Sequence, residues 1–340
     1  MFGILRTLLA VNVVLLHVFN VPALGNYSVS FFFVLSGFLM TYIMHHSYGY
    51  DFKGVKIFWL NRFLRLYPLY WCVLICTILC LITFPKITRH PHLYFPVTFP
   101  DWLYNIAMVY PNQVPHHIKP RLVPPSWALT NEIVYYLLIS IGISKTRRRT
   151  FIWLILSVGY YMFTYLFYDI PTYRYSAIWA SSLPFALGAA LYWINRIKPL
   201  KRVNLFSVIG VYGLFVSNAL FFNKQNLGVY GEASIYINLV LAVLLIYMLF
   251  NFKSKNLLKH WDNYVGRYSY PIYLAHYLVL IFYSAIFFFD KNTSNFKLPY
   301  NKLFPYFLCL VLVCFLLVHL IDKPVDNIKS KMKRQHLKIK

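Results

Sequence analysis

Residues 2–19 have the sequence FGILRTLLAVNVVLLHVF, which is long and apolar enough to span a membrane and yet contains Arg6 and His17. A helix turns about 100° and rises about 1.5 Å per residue, so the two side chains lie within roughly 20° of one face, about 16 Å apart. Ionisable residues within a membrane span usually face a protein interior or a wet cavity. Taken alone, the stretch also fits Arg6 snorkelling at one interface and His17 lying at the other.

The composition is that of a polytopic membrane protein. Hydrophobic residues make up 59% of the 340 residues and charged residues only 12%, against about 25% charged in soluble domains. The sequence therefore predicts an all-α membrane bundle of about ten transmembrane helices. The predicted spans are 2–19, 27–46, 66–84, 124–143, 150–168, 175–194, 203–222, 229–250, 264–288 and 303–321. The stretch Trp102–Tyr110 is too short to cross and predicts an extra short helix in the long third connection.

The positive charge predicts the topology. With the N-terminus in the cytoplasm, 22 Lys and Arg residues fall in inner segments and 9 in outer connections, which favours N-in and C-in. This alternation between apolar spans argues against a nucleic-acid partner, although the net charge is +24. We expect a multi-pass protein of a bacterial inner or plasma membrane, with a membrane domain at 1–322 and a basic cytoplasmic tail at 323–340.

His17 is a candidate general base. Its predicted depth is near the outer end of the first span, and an imidazole takes up a proton near neutral pH. That property suits the removal of a proton from a sugar hydroxyl. Glu132, about two turns into the fourth span, reaches a similar depth and is a candidate to orient the imidazole. A carboxylate satisfied by helix-start donors is an equally good interpretation of Glu132.

Arg62 and Arg65 form a candidate phosphate site. They precede the third predicted span on the cytoplasmic side and, at i and i+3, project from one face. Guanidinium forks bind phosphate oxygens bidentately. A topology signal explains the same pair without any ligand, and by itself we favour that explanation.

Two further stretches are candidate cavity walls. Ser36 precedes Gly37 in the second span, a pair that most simply permits close helix packing. Tyr270, Tyr273 and His276 share roughly one face of the ninth span, where a histidine is as often a packing residue as a site residue.

The cysteine and histidine patterns predict no metal site and no disulfide. All five cysteines lie within predicted spans. The pairs His90/His92 and His116/His117 in the third connection lack a third ligand.

Five segments, read in order, resemble the acyltransferase-3 family of integral-membrane O-acyltransferases. They are Arg6 followed after ten residues by His17, Ser30–Phe38, Arg62 and Arg65 before Tyr67-Pro68, Trp127–Glu132, and Val265–His276. The segment Ile321-Asp322-Lys323-Pro324 departs from the family pattern, since we expect Glu at position 322.

The resemblance implies transfer of an acyl group, commonly acetyl from acetyl-CoA, to a glycan outside the cytoplasm. It implies that Arg6 and His17 are central to the activity and implicates Arg62 and Arg65. We assign Glu132, with Arg6 and His17, to catalysis and Arg62 and Arg65 to binding of the donor. We assign Ser36, Trp127, Tyr270, Tyr273 and His276 to the substrate site or cavity wall. Because Arg6 lies far from His17 along the helix, we expect it to position the donor or shape the cavity.

Two other classes of function stay open from sequence. One is an exporter of glycans or lipid-linked sugars, and the other is a structural subunit of a polysaccharide synthase. Neither requires acyl-CoA. The sequence also leaves open whether the chain forms a homo-oligomer and whether transfer is direct or passes through an acyl-histidine.

Overall fold

A computed structural model of the protein describes residues 2–21, 24–84, 91–168, 171–223, 229–253, 256–287 and 297–329. These residues contain thirteen α-helices and no β-strand. The predicted all-α class is therefore confirmed for the described residues. The helices are α1 (Gly3–Phe19), α2 (Leu24–Ile43), α3 (Phe52–Thr83), α4 (Phe99–Ala107), α5 (Trp127–Ser140), α6 (Arg147–Phe167), α7 (Pro171–Tyr175), α8 (Ser182–Ile197), α9 (Leu205–Asn223), α10 (Val229–Asn251), α11 (Asn256–Gly266), α12 (Ser269–Phe287) and α13 (Leu303–Leu317).

The helical pattern fits a multi-pass membrane protein. Each of the ten predicted spans contains a helix. Within the described residues, 6 helical stretches are long and apolar enough to cross a membrane, and Gly3–Phe19 and Leu205–Phe221 are shorter apolar helices. Ten crossings with both termini in the cytoplasm stay a prediction. The expected extra helix is α4, which begins with a capping box formed by Thr98 and Asp101.

Helix α1 lies at the centre of the bundle, packed against α2, α11 and α12. Its first turn is held by α11, because Ile4 N–H donates to Asp262 Oδ1 at 2.9 Å and Thr7 Oγ1 donates to the Val265 carbonyl at 2.9 Å. A helix start leaves several N–H groups without partners in the helix itself. Asp262 satisfies one of them and holds the backbone two residues before Arg6.

Helix α3 begins much earlier than the predicted span 66–84. Asp51 caps it by accepting a hydrogen bond from Gly54 N–H at 3.3 Å, and the helix then continues through Pro68 to Thr83. Arg62 and Arg65 therefore lie within α3 and not in a connection before it. The basic residues resembled a loop in sequence, but the Asp51 cap makes them part of the helix.

Two other predicted spans have different bounds. The sixth, 175–194, begins as a helix only at Ser182, and the ninth, 264–288, is divided into α11 and α12 by a turn at Arg267 and Tyr268. Pro271 lies in the first turn of α12. Backbone N–H groups there have no acceptor within the helix, so a proline removes no helical hydrogen bond. Residues 323–329 continue the last helix, and the rest of the predicted tail lies outside the described residues.

Glycines allow α2 and α8 to approach closely. A Cβ atom on Gly188 would lie 2.0 Å from the Val34 carbonyl oxygen, and one on Gly37 would lie 2.1 Å from the Phe185 carbonyl oxygen. Small residues at such contacts let helix backbones pack directly. Close helix packing is therefore the role of Gly37. Ser36 faces a different part of the bundle.

We expect Gly188→Ala to lower the melting temperature of the detergent-solubilised protein, because overpacking costs about 1–3 kcal/mol. Gly159→Ala is the matched control, since nothing lies within 4 Å of a Cβ atom there. The control should keep or raise the melting temperature, because Ala favours a helix over Gly by about 1 kcal/mol. Equal melting temperatures for the two variants would contradict the close contact.

Candidate active site

A cavity of about 130 Å³ lies between α1, α2, α3, α5 and α12. It brings together seven of the ten residues that sequence reasoning assigned to a site. These residues are Arg6, Ser36, Arg62, Arg65, Glu132, Tyr270 and Tyr273. They come from five helices, so the cavity exists only in the folded bundle. We call it the arginine cavity.

Three guanidinium groups give the arginine cavity a positive charge. Arg62 lies against the Phe58 and Tyr136 rings, 5.7 and 5.9 Å from their centroids, and Arg65 lies 5.8 Å from the centroid of Tyr270. Among the described residues, no carboxylate lies within 4.0 Å of Arg6, Arg62 or Arg65. The buried Arg62 Nε has no hydrogen-bond partner there either. Ring faces stabilise cations only in part, so the cavity is suited to an anion.

Glu132 is the carboxylate of the arginine cavity, but it does not orient His17. Its Oε1 accepts hydrogen bonds from Ser36 Oγ at 2.7 Å and from the Tyr136 hydroxyl. The expected pairing with the imidazole is therefore wrong. Tyr136 is one helical turn beyond Glu132, which explains the local contact. Sequence reasoning missed Tyr136, although its i+4 spacing from Glu132 was the available signal.

His17 pairs with His276. His17 Nδ1 lies 2.9 Å from His276 Nε2, and the two rings are nearly parallel with centroids 5.2 Å apart. His276 is completely buried. The Tyr277 ring covers both, with its centroid 5.3 Å from that of His17 and 4.7 Å from that of His276. We call His17 and His276 the histidine pair.

The surroundings of His276 fix the tautomers of the histidine pair. His276 Nδ1 lies 2.8 Å from the Tyr273 carbonyl oxygen and 3.3 Å from that of Ile272. Carbonyl oxygens only accept, so His276 Nδ1 carries the proton and Nε2 of the neutral ring accepts from His17 Nδ1–H. Neutral His17 consequently has its lone pair on Nε2. This is the arrangement of a general base whose second nitrogen is held by a neighbour.

Tyr273 connects the arginine cavity to the histidine pair. Its ring lines the cavity, and its centroid lies 6.4 Å from that of His276. The hydroxyl is fixed by donation to the Pro125 carbonyl at 2.9 Å. His17 itself lies near the far end of α1 and does not line the cavity. The structure thus contains two adjacent sites, one cationic and one basic.

Trp127 does not line the arginine cavity, contrary to expectation. Its indole is buried against the rings of His116 and Tyr175, with centroids 5.5 and 5.7 Å away. It belongs with the connection between α3 and α5. Within the described residues no group of three His, Cys, Asp or Glu side chains is placed to hold a metal ion. His90 of the predicted pairs lies outside those residues.

Arg121 organises the connection between α3 and α5. The side chain is buried and donates to the carbonyl oxygens of His116, Ile118 and Pro124 at 2.5, 2.6 and 3.1 Å. A guanidinium with backbone acceptors on several sides holds a loop in one conformation. Sequence reasoning gave Arg121 no role, and no local pattern distinguishes it from a surface arginine.

The fold and the two sites together define a helical membrane protein with an arginine-lined cavity next to a pair of histidines. The pattern of the acyltransferase-3 family, described as an acyltransferase domain, matches residues 2–322. The chain belongs to this family, as the five segments indicated. No solved structure matches the chain.

Two relatives are similar to this chain. A Bacillus subtilis (strain 168) protein named "Putative peptidoglycan O-acetyltransferase YrhL" is 24% identical over 307 residues, which cover 82% of this chain and 48% of that protein. An uncharacterized protein of Aquifex aeolicus (strain VF5) is 24% identical over 225 residues, covering 62% of this chain and 91% of the relative. The chain thus spans about half the length of the Bacillus subtilis protein.

The connection between α3 and α5 should lose stability in acid. Burial, with the nearby Arg121 charge, lowers the pKa of His116 to about 4, against an ordinary value of about 6.5. Below pH 6.5 the unfolded chain takes up a proton that the folded chain refuses until pH is about 4. Stability therefore falls over that window and is unchanged above pH 7.

Thermal unfolding at pH 7 and pH 5 measures this effect. We expect the melting temperature to fall by a few degrees between them, and by less in His116→Gln, which cannot titrate. An equal fall in the wild type and the variant would show that His116 does not cause it.

Proposed function

We propose that the protein is a membrane O-acyltransferase. It moves an acyl group, most simply acetyl, from acyl-CoA on the cytoplasmic side to a hydroxyl of a glycan on the outer side. The observation that carries the proposal is the adjacency of the arginine cavity and the histidine pair. The first suits the phosphates of the donor, and the second suits activation of the acceptor hydroxyl.

The donor is held by guanidinium groups. Arg62 and Arg65 bind phosphate oxygens through their forks, and Arg6 adds the third charge from α1. The rise of α1 between Arg6 and His17 is about 16 Å. An extended pantetheine arm of about twelve bonds spans roughly 14 Å, at the ~3.6 Å per three bonds of an extended chain. Phosphates among the arginines therefore bring the thioester to the depth of His17.

The histidine pair activates the acceptor. His17 Nε2 removes the proton from the acceptor hydroxyl, and the resulting oxygen attacks the thioester carbonyl carbon. The bond from that carbon to sulfur breaks, and the thiolate leaves with the proton that His17 has taken up. His276 keeps His17 in the required tautomer throughout. Glu132, held by Ser36 and Tyr136, reduces the repulsion among the three arginines and takes no proton from the acceptor.

The acceptor is a glycan of the cell envelope. The Bacillus subtilis relative bears the name "Putative peptidoglycan O-acetyltransferase YrhL", and a sugar hydroxyl needs the general base that His17 provides. The protein then acts as a multi-pass enzyme of the bacterial cell membrane. A glycan exporter, the second class of function, needs neither acyl-CoA nor a base next to an anion site.

We expect Arg62→Gln and Arg65→Gln each to weaken CoA binding to the purified protein by about tenfold or more, because each removes charge-assisted hydrogen bonds. Arg148→Gln is the matched control, since Arg148 is exposed in the first turn of α6. Acetyl-CoA consumption should fall in the two site variants only. If the wild type neither binds CoA nor consumes acetyl-CoA, the exporter is favoured instead.

We expect His17→Ala to reduce kcat at least about 100-fold with CoA affinity unchanged, because the base is lost and the donor site is not. His276→Phe should reduce kcat comparably, since His17 then loses the acceptor that fixes its tautomer. His276→Gln should recover part of the rate, because its amide oxygen accepts from His17 Nδ1–H.

Tyr277→Phe is the control for packing around the histidine pair. It keeps the ring that covers both imidazoles, and we expect it to keep most of the rate. A positioning role also predicts a changed pH profile of kcat in His276→Phe. Equal loss of rate in the Phe and Gln variants, with an unchanged pH profile, would leave His276 with a packing role only.

A further inference from the structure

A second cavity of about 280 Å³ lies where α2 ends, and neither the family assignment nor the site above accounts for it. Its walls include Tyr42, His46, Tyr192, Arg196 and Phe250. These residues come from the ends of α2, α8 and α10, which are predicted to face the cytoplasm. We call it the aromatic cavity.

The walls of the aromatic cavity are mostly ring faces. Tyr42 and His46 stack with centroids 4.2 Å apart at 15°, and the Phe250 ring meets Tyr42 edge-on at 5.4 Å. His45 presents its ring rather than its nitrogens, because Nδ1 and Nε2 lie 2.9 and 3.0 Å from the carbonyl oxygens of Thr41 and Lys145. Such walls suit a planar aromatic ligand, which stacks on rings of this kind.

Arg196 gives the aromatic cavity its charge. It is exposed, lies 5.7 Å from the centroid of Trp193, and no carboxylate lies among the residues that line the cavity. The predicted inner segments around it are basic, with Lys145 beside Tyr50 on one side. The cavity thus combines ring faces, on which a base can stack, with a guanidinium, which can bind a phosphate. A nucleotide contains both groups.

Both cavities border α2. Leu39 lines the arginine cavity, whereas Tyr42 and His46 line the aromatic cavity. Leu39 and Tyr42, at i and i+3, are neighbours on the helix surface, and His46 follows in the π-helical turn Met44–Tyr48. The rise from Ser36 to Tyr42 is about 9 Å. A ligand extended over that distance along α2 would join the arginines to the aromatic cavity.

The volumes agree with a shared ligand. Small-molecule sites usually enclose about 300–1,000 Å³, and the arginine cavity alone, at about 130 Å³, is too small for a complete nucleotide thioester. The aromatic cavity supplies the missing space at the side from which a cytoplasmic donor enters.

We propose that the aromatic cavity binds the adenosine 3′-phosphate end of the CoA donor. The adenine ring stacks on Tyr42 and His46, and Arg196 binds the 3′-phosphate. The pyrophosphate then lies among Arg6, Arg62 and Arg65, and the pantetheine arm continues toward His17. This assignment rests on the proposed function, because it takes acyl-CoA as the donor.

The test compares three donors of decreasing size on the full-length protein in zwitterionic nanodiscs. They are acetyl-CoA, acetyl-dephospho-CoA, which lacks the 3′-phosphate, and S-acetyl-phosphopantetheine, which lacks the nucleotide. We expect Arg196→Gln to raise KM for acetyl-CoA about tenfold and to leave KM for the other two unchanged. Tyr42→Leu should raise KM for both nucleotide donors and spare S-acetyl-phosphopantetheine. Arg202→Gln, which removes an exposed cation beyond the same end of α8, should change none.

The outcomes separate this assignment from the proposed function. A wild type that uses none of the three thioesters refutes the proposed function. A wild type that uses them, with Arg196→Gln raising KM equally for all three or for none, refutes the adenosine site alone. A third outcome is that Arg196→Gln changes KM only in nanodiscs with anionic lipid, and by the same factor for every donor. This result assigns the cavity to a lipid phosphate and likewise overturns the proposal.

Discussion

Three guanidinium groups inside a helical bundle, with no carboxylate in ion-pair distance among the described residues, set the main constraint on this structure. Burying charge is costly unless it is paired. The rings of Phe58, Tyr136 and Tyr270 offset part of the cost, and Glu132 offsets more from across the cavity. The remaining positive potential favours an anionic ligand here, which is the charge of the donor proposed above.

Helical periodicity was enough to predict much of this arrangement from the sequence. The 11-residue spacing of Arg6 and His17 and the i, i+3 spacing of Arg62 and Arg65 are local properties of a helix. The apolar composition predicted the all-helical membrane class. Local rules of this kind hold whatever the tertiary packing is, which is why the arginine cavity contains seven of the ten residues that the patterns indicated.

Such local rules could not predict the contacts between residues that are distant in sequence. His17 and His276 are separated by 259 positions, and Glu132 had the right chemistry and a similar predicted depth to be the partner of His17. Only the packing of α12 against α1 brings His276, and not Glu132, into contact with His17. The start of α3 was missed for a different reason, since the cap at Asp51 is weaker in sequence than the run of basic residues that follows it.

Rigid helices fix the distances between the groups that they hold. No glycine or proline lies between Arg6 and His17, so α1 has no residue that commonly bends a helix there, and the distance from the arginines to the base is fixed. The stripe of α2 through Leu39 and Tyr42 fixes the distance in the other direction. Under the proposed function, these two fixed distances would select a donor by the separation of its phosphates from its thioester.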